Sequence, residues 1–145
     1  MAPRFGMTLA MVALAPCQAF SEPAPDLDCR IGFEALHTWA AWLPGAERRP
    51  GDNPNVITVA EPDVWRVEIT FTEPGQPGHP AVVLRKFVKQ VTSVWTAQSK
   101  ACGYGNQADF VALVAAAKAE DSRLTNASRD EAERKKREQS PLGSP

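Results

Sequence analysis

The sequence predicts an α+β fold: an N-terminal helix packed on an antiparallel sheet of three or four strands, then a C-terminal helix and a charged tail. Two patterns lead to this prediction. Apolar residues recur at spacings of three and four between Cys29 and Leu43, as they do on one face of a helix. Between Val64 and Thr72, apolar and polar residues alternate, which is typical of a strand with one solvated face.

Residues 1–21 have the pattern of a secretory signal peptide. Arg4 is their only charged residue, and residues 5–15 form an unbroken run of 11 apolar or small side chains. That run is shorter than the roughly 20 residues that cross a bilayer. Small residues allow cleavage after Ala19 or after Ser21, and we favour the second site. We therefore expect a periplasmic or secreted protein.

Two other interpretations of this segment stay open. The apolar run can be a buried helix of the folded domain. Alternatively, Cys17 can carry a lipid anchor, because residues 14–17 are similar to a lipobox, although Pro16 stands where such motifs have Gly, Ala or Ser. No other stretch of the chain is long and apolar enough to predict a membrane span.

Cleavage at either site removes Cys17 and leaves Cys29 and Cys102. In an oxidising compartment, two remaining cysteines most simply form a disulfide. A metal site made from these thiols has little support, because the chain contains no C-x-x-C pair and only two histidines. We therefore predict a Cys29–Cys102 disulfide.

The mature chain divides into a leader, one domain and a tail. We expect an extended leader at 22–28, a single small α+β domain at 29–124, and a charged, partly helical or disordered tail at 125–145. Signal removal takes one of the 16 basic residues and none of the 17 acidic ones. The resulting charge is slightly negative and dispersed, so we expect no nucleic-acid partner.

The first helix is expected from Cys29 to Leu43, with Asp28 as its cap and Pro44 as its stop. Trp39 and Trp42 widen its apolar face. Residues 56–59 then form a short β-branched strand before the alternating strand already described.

Residues 81–102 are ambiguous. Their apolar spacing fits a helix, but seven of the fifteen residues at 82–96 are β-branched, which favours strands. We favour two strands, at about 81–89 and 93–101, and keep a single helix as the alternative. With two strands the sheet is a complete meander, similar in layout to cystatin-type folds but without a shared motif, so the similarity implies no function.

A second helix is predicted from Asn106 or Gln107 to Leu124. Residues 103–108 match the G-x-G-x-x-A dinucleotide fingerprint, but no second strand and no acidic residue at its end follow the helix. We interpret the glycines as a tight turn. A small-anion site at the helix start is an alternative.

The chain has four tryptophans, a high number for a small domain. At helical and strand spacing such residues usually belong to a core, whereas exposed indoles can stack on sugars or hold a peptide. The candidate binding surface consists of Trp39, Trp42, Trp65 and Trp95. We favour a non-catalytic exported binding or accessory protein without cofactor or metal. Its partner is unknown and can be another envelope or secreted protein.

An enzyme is the alternative function. A small exported hydrolase or metal-dependent enzyme could use His37, His79 and Glu34, since His37 lies three residues after Glu34 in the first helix. This hypothesis requires the three side chains to converge in space. No nucleophile is placed with them by the sequence, so we assign no catalytic residue.

Overall fold

A computed structural model describes residues 21–48 and 53–140 of the chain. The predicted signal sequence spans residues 1–21, and all of it except Ser21, including Cys17, lies outside the described residues. In chain order the elements are α1 (Phe33–Ala41), β1 (Glu47–Arg48), β2 (Val56–Glu61), β3 (Trp65–Phe71), β4 (Ala81–Lys89), β5 (Trp95–Gly103) and α2 (Gln107–Gln139).

The strands form one antiparallel meander in the order β1-β2-β3-β4-β5. The α+β prediction is confirmed. The described sheet has five strands, because the two-residue strand β1 pairs with β2 at one edge. Within the described residues, no helix is both long and apolar enough to cross a membrane.

One face of the sheet carries the hydrophobic core. Alternate residues of β3, from Trp65 to Phe71, are buried there, as the sequence pattern predicts. Helix α1 covers this face with Leu36 and Ala40, both 0% exposed. Leu27, in the extended leader, is buried in the same core, so the leader is part of the packed domain.

Helix α1 begins later than expected. Its cap position is Gly32, and Asp28 instead accepts hydrogen bonds from the backbone and the guanidinium of Arg30. The prediction that the helix begins at Cys29 is wrong, because Cys29 lies before the helix and is bonded to Cys102 at the end of β5. The Cys29–Cys102 disulfide itself is confirmed, with 5.2 Å between the two Cα atoms.

Residues 81–103 form two strands and not a helix. The turn between β4 and β5 lies at residues 90–94, slightly later than the sequence indicates, and is closed by a 2.8 Å hydrogen bond from Gln90 N to Val94 O. Ser93 takes a left-handed conformation, with φ of 65°, in place of the Gly or Asn that is common there.

Helix α2 lies on the other face of the sheet, where Arg85 and Ser99 face each other in the β4–β5 register. It is 33 residues long and continues without a break past Leu124. The prediction that this helix ends at Leu124 is therefore wrong. Gly103 allows the close approach of the chain to this helix, because a Cβ atom there would overlap the ring of Phe110.

Candidate functional site

The four tryptophans do not form one surface. Trp65 is 9% exposed, and its Nε1 donates a 3.0 Å hydrogen bond to the carbonyl oxygen of Glu22. Trp39 is half-buried and packs against the same core. Trp95 pairs with Lys89, whereas Trp65 pairs with Val88, so the two indoles leave opposite faces of the sheet.

Trp42 is the exposed member of the group. Helix α1 ends at Ala41, and Trp42 occupies the cap position with 83% of its surface exposed. The expectation that it widens the apolar face of the helix is therefore wrong. Its backbone N–H donates a 3.1 Å hydrogen bond to Trp39 O, so the backbone that carries the indole is fixed.

A groove of about 190 Å³ is lined by Leu43, the residue that follows Trp42, although Trp42 itself does not line it. The groove is lined by Glu22, Pro23, Pro25, Leu43, Pro44, Val59 and Trp65. We call Trp42 and this groove the Trp42 surface. Most of the lining side chains are apolar, and the leader supplies one wall while the end of α1 supplies the other.

The leader wall is held in place by contacts to the sheet. Lys100 Nζ donates to Leu27 O at 2.7 Å and to Asp26 Oδ2 at 3.0 Å. The bond from Trp65 to Glu22 fixes the far end of the leader. The pKa of Asp28 is lowered to about 2 by its hydrogen bonds from the Arg30 side chain and backbone.

Glu34, His37 and His79 line a second cavity, of about 260 Å³, between α1 and the loop before β4. The ring of His37 lies 4.7 Å from that of Phe71, and the ring of His79 lies 5.4 Å from that of Phe33. The three residues on which the enzyme hypothesis depends thus line one cavity, but no hydrogen bond or ion pair joins their side chains in the part of the chain that the structure describes.

The orientation of His79 is fixed by Thr72. Nδ1 of His79 lies 3.0 Å from Thr72 O and 3.1 Å from Thr72 Oγ1. Because a carbonyl oxygen can only accept, Nδ1 carries a hydrogen, which leaves Nε2 as the second ring nitrogen that can face the cavity. This arrangement orients imidazoles that act as bases or metal ligands.

The same cavity offers few further reactive groups. The Thr72 hydroxyl donates to Ala81 O at 3.0 Å and accepts from Ala81 N at 2.8 Å, so it is engaged by backbone. The carboxylate of Glu73 accepts a hydrogen bond from the Asn55 side chain. In residues 21–48 and 53–140, no three His, Cys, Asp or Glu side chains are grouped so as to hold a metal ion.

Trp95 lines a third cavity, at the turn between β4 and β5 and beside the end of α2. The lysines that line this cavity are not among the site residues predicted from the sequence. Lys135 and Lys136 lie in a segment where acidic and basic residues balance, and such a segment is typical of a solvated helix. The sequence does place a tryptophan in the strand before this helix, but only the tertiary structure shows that Trp95 and the lysines line one cavity.

No protein-family model matches the chain, and searches of curated proteins and of solved structures find no match either. The similarity in layout to cystatin-type folds gains no support from them.

Proposed function

We propose that this chain is an exported, non-catalytic binding or accessory protein that holds another exported protein at the Trp42 surface. The observation that carries the proposal is the 83% exposure of Trp42 on a helix whose Leu36 and Ala40 are fully buried. Tryptophan brings a large apolar area to a contact, and it is enriched among the residues that dominate binding energy. A partner that covers Trp42 would remove this area from water.

The adjoining groove supports the same use. An apolar side chain of the partner can enter between Pro25 and Leu43 while Trp42 packs on the surrounding surface. Both walls are held before the partner arrives, by the burial of Leu27 and the Cys29–Cys102 disulfide. A preformed site binds more tightly because less conformational entropy is lost on association.

Export is supported by two independent features. The signal pattern of residues 1–21 directs secretion, and disulfides persist mainly in oxidising compartments. The partner expected at the Trp42 surface is therefore a protein of the envelope or of the surrounding medium.

Affinity capture with matched variants tests the proposal. The mature protein, Trp42→Ala and Val111→Ala are each used to capture partners from the native envelope fraction; Val111 is an exposed apolar residue of α2. A protein captured by the wild type and by Val111→Ala should bind Trp42→Ala about 30-fold more weakly. Equal capture by all three forms would contradict the proposal.

A small hydrolase or metal-dependent enzyme is the second candidate function, because Glu34, His37 and His79 all line one cavity. In this case Nε2 of His79 acts as the base or as a metal ligand. Hydrolysis of p-nitrophenyl acetate should be lost in His79→Gln and kept in Lys118→Gln, a variant of the exposed helix surface.

Two results would remove this second candidate. One is wild-type hydrolysis no faster than that of buffer. The other is a His79→Gln variant that is as active as the wild type while keeping its circular dichroism spectrum. Elemental analysis of both preparations tests the metal-dependent form: a metal bound to the wild type should be lost with the His79 side chain.

A further inference from the structure

The cleft beside Trp95 has the size of a small-ligand site. It encloses about 510 Å³ between the β4–β5 turn and the last turns of α2. Binding sites for small molecules span roughly 300–1,000 Å³. Trp95, Lys89, Lys135, Lys136 and Glu131 are the lining residues that matter for its chemistry. We call this site the Trp95 cleft.

The cleft exists because α2 is tied along the edge of β5 and then continues beyond it. Side chains of α2 accept hydrogen bonds from three backbone N–H groups of β5, those of Ser99, Ala97 and Trp95. Their acceptors are Asp121 Oδ2 at 2.6 Å, Thr125 Oγ1 at 2.9 Å and Ser128 Oγ at 2.8 Å. Since β5 begins at Trp95, α2 extends past this strand after Ser128, and the cleft lies beside the extended part of the helix.

Positive charge predominates in the cleft. Three lysines line it against the single carboxylate of Glu131. Glu131 is already paired with Arg134 at 2.6 Å and with Lys135 at 3.3 Å. Lys136 forms no ion pair with any residue that the structure describes. An anionic group would therefore be attracted to this cleft.

Trp95 adds a flat apolar surface and an unused donor. Its indole is half-buried, with Lys89 Nζ 5.9 Å from the ring centroid. Its Nε1–H donates to no residue that the structure describes, in contrast to Trp65, whose Nε1–H donates to Glu22. An indole face accepts the apolar face of a sugar ring, and its N–H can donate to a sugar oxygen.

We propose that the Trp95 cleft binds an acidic saccharide, with a sugar ring on Trp95 and its carboxylate or phosphate facing the lysines. Lys136 forms an ion pair with the anionic group. The side chain of Lys89 is held in position by a 2.8 Å ion pair with Asp63. This site is independent of the Trp42 surface, because Trp95 and Trp65 leave opposite faces of the sheet.

NMR titration of the ¹⁵N-labelled mature protein tests the proposal. The probes are trigalacturonate, mannose 6-phosphate and neutral maltotriose, and the Trp95 indole signal is assigned with a Trp95→Phe variant. We expect at least one acidic probe to shift the Trp95 indole signal while the Trp42 and Trp65 signals stay unchanged. Maltotriose should produce no comparable shift.

Two matched variants of α2 locate the anion. Lys136→Gln should weaken binding of the acidic probe about fivefold, as expected for loss of one partly solvated ion pair. Lys118→Gln, on an exposed part of α2 outside the cleft, should bind as the wild type does. The proposal is overturned if neither acidic probe shifts the Trp95 signal, if maltotriose shifts it equally, or if the two variants bind alike.

Discussion

Asp121 of α2 and Arg85 of β4 form an ion pair of 2.7 Å that joins the long helix to the sheet. Asp121 is 7% exposed and also accepts hydrogen bonds from the backbone N–H and the hydroxyl of Ser99. All of these donors come from the two last strands of the meander. The pair thus anchors the helix that forms one wall of the Trp95 cleft.

We expect Asp121→Ala to lower the free energy of unfolding by about 3 kcal/mol, because the largely buried Arg85 guanidinium loses its ion-pair partner and keeps only a hydrogen bond to Ala117 O. Urea denaturation measures the change. Glu120→Ala is the control, since Glu120 pairs with Arg123 at the surface and such pairs contribute about 0–1 kcal/mol. Equal losses in the two variants would show that Asp121 does not anchor the helix.

Removing the disulfide should also destabilise the protein. The bond closes a loop with a sequence separation of 73 residues. A Cys29→Ser, Cys102→Ala variant should unfold with about 4 kcal/mol less free energy, because the unfolded chain regains its conformational entropy. The measurement is urea denaturation of both proteins without reductant. An unchanged midpoint would contradict this expectation.

The carboxyl group of Asp28 should titrate at low pH. Its pKa is lowered from the ordinary value of 3.8 to about 2 by hydrogen bonds from Arg30. A lowered pKa means that its contribution to stability is complete above pH 3.8 and is lost as the pH falls through about 2. NMR titration of the carboxyl carbon should give this pKa, and Arg30→Gln should raise it. The same pKa in both proteins would rule out the Arg30 side chain as the main cause.

The tryptophans should differ in their access to solvent. Acrylamide should quench the fluorescence of Trp42 readily, because this residue is 83% exposed, whereas Trp65 should be protected. Trp42→Phe should therefore remove the most readily quenched component of the emission. If this variant were quenched as strongly as the wild type, Trp42 would not be the exposed indole.

Patterns along the chain predict the sheet and both helices, because hydrophobic periodicity is local information. The alternation from Val64 to Thr72 predicts strand β3 correctly. Residues 81–102 are ambiguous because their apolar spacing fits a helix while their many β-branched residues favour strands. In the structure, the outer N–H groups of the edge strand β5 are satisfied by side chains of α2. That contact depends on residues far along the sequence.

The sites could be predicted only in part. The helical spacing predicts that Trp39 and Trp42 both lie on the apolar face of α1. The helix ends between them, however, and Trp42 is exposed to solvent. The helical spacing predicts the start of α1 too early, because Cys29 fits the spacing but lies before the helix and is bonded to Cys102. The Trp95 cleft cannot be predicted from local patterns alone, because it forms where α2 extends past the first residue of β5.

Site-specific photocrosslinking in intact cells tests most directly whether an exported partner covers Trp42, as we propose. A photoreactive phenylalanine is placed at position 42 in one strain and at position 111 in another. We predict one specific adduct from position 42 and none from position 111. The proposal would be contradicted by the absence of an adduct from position 42 in an exported, folded protein, or by the same adducts from both positions.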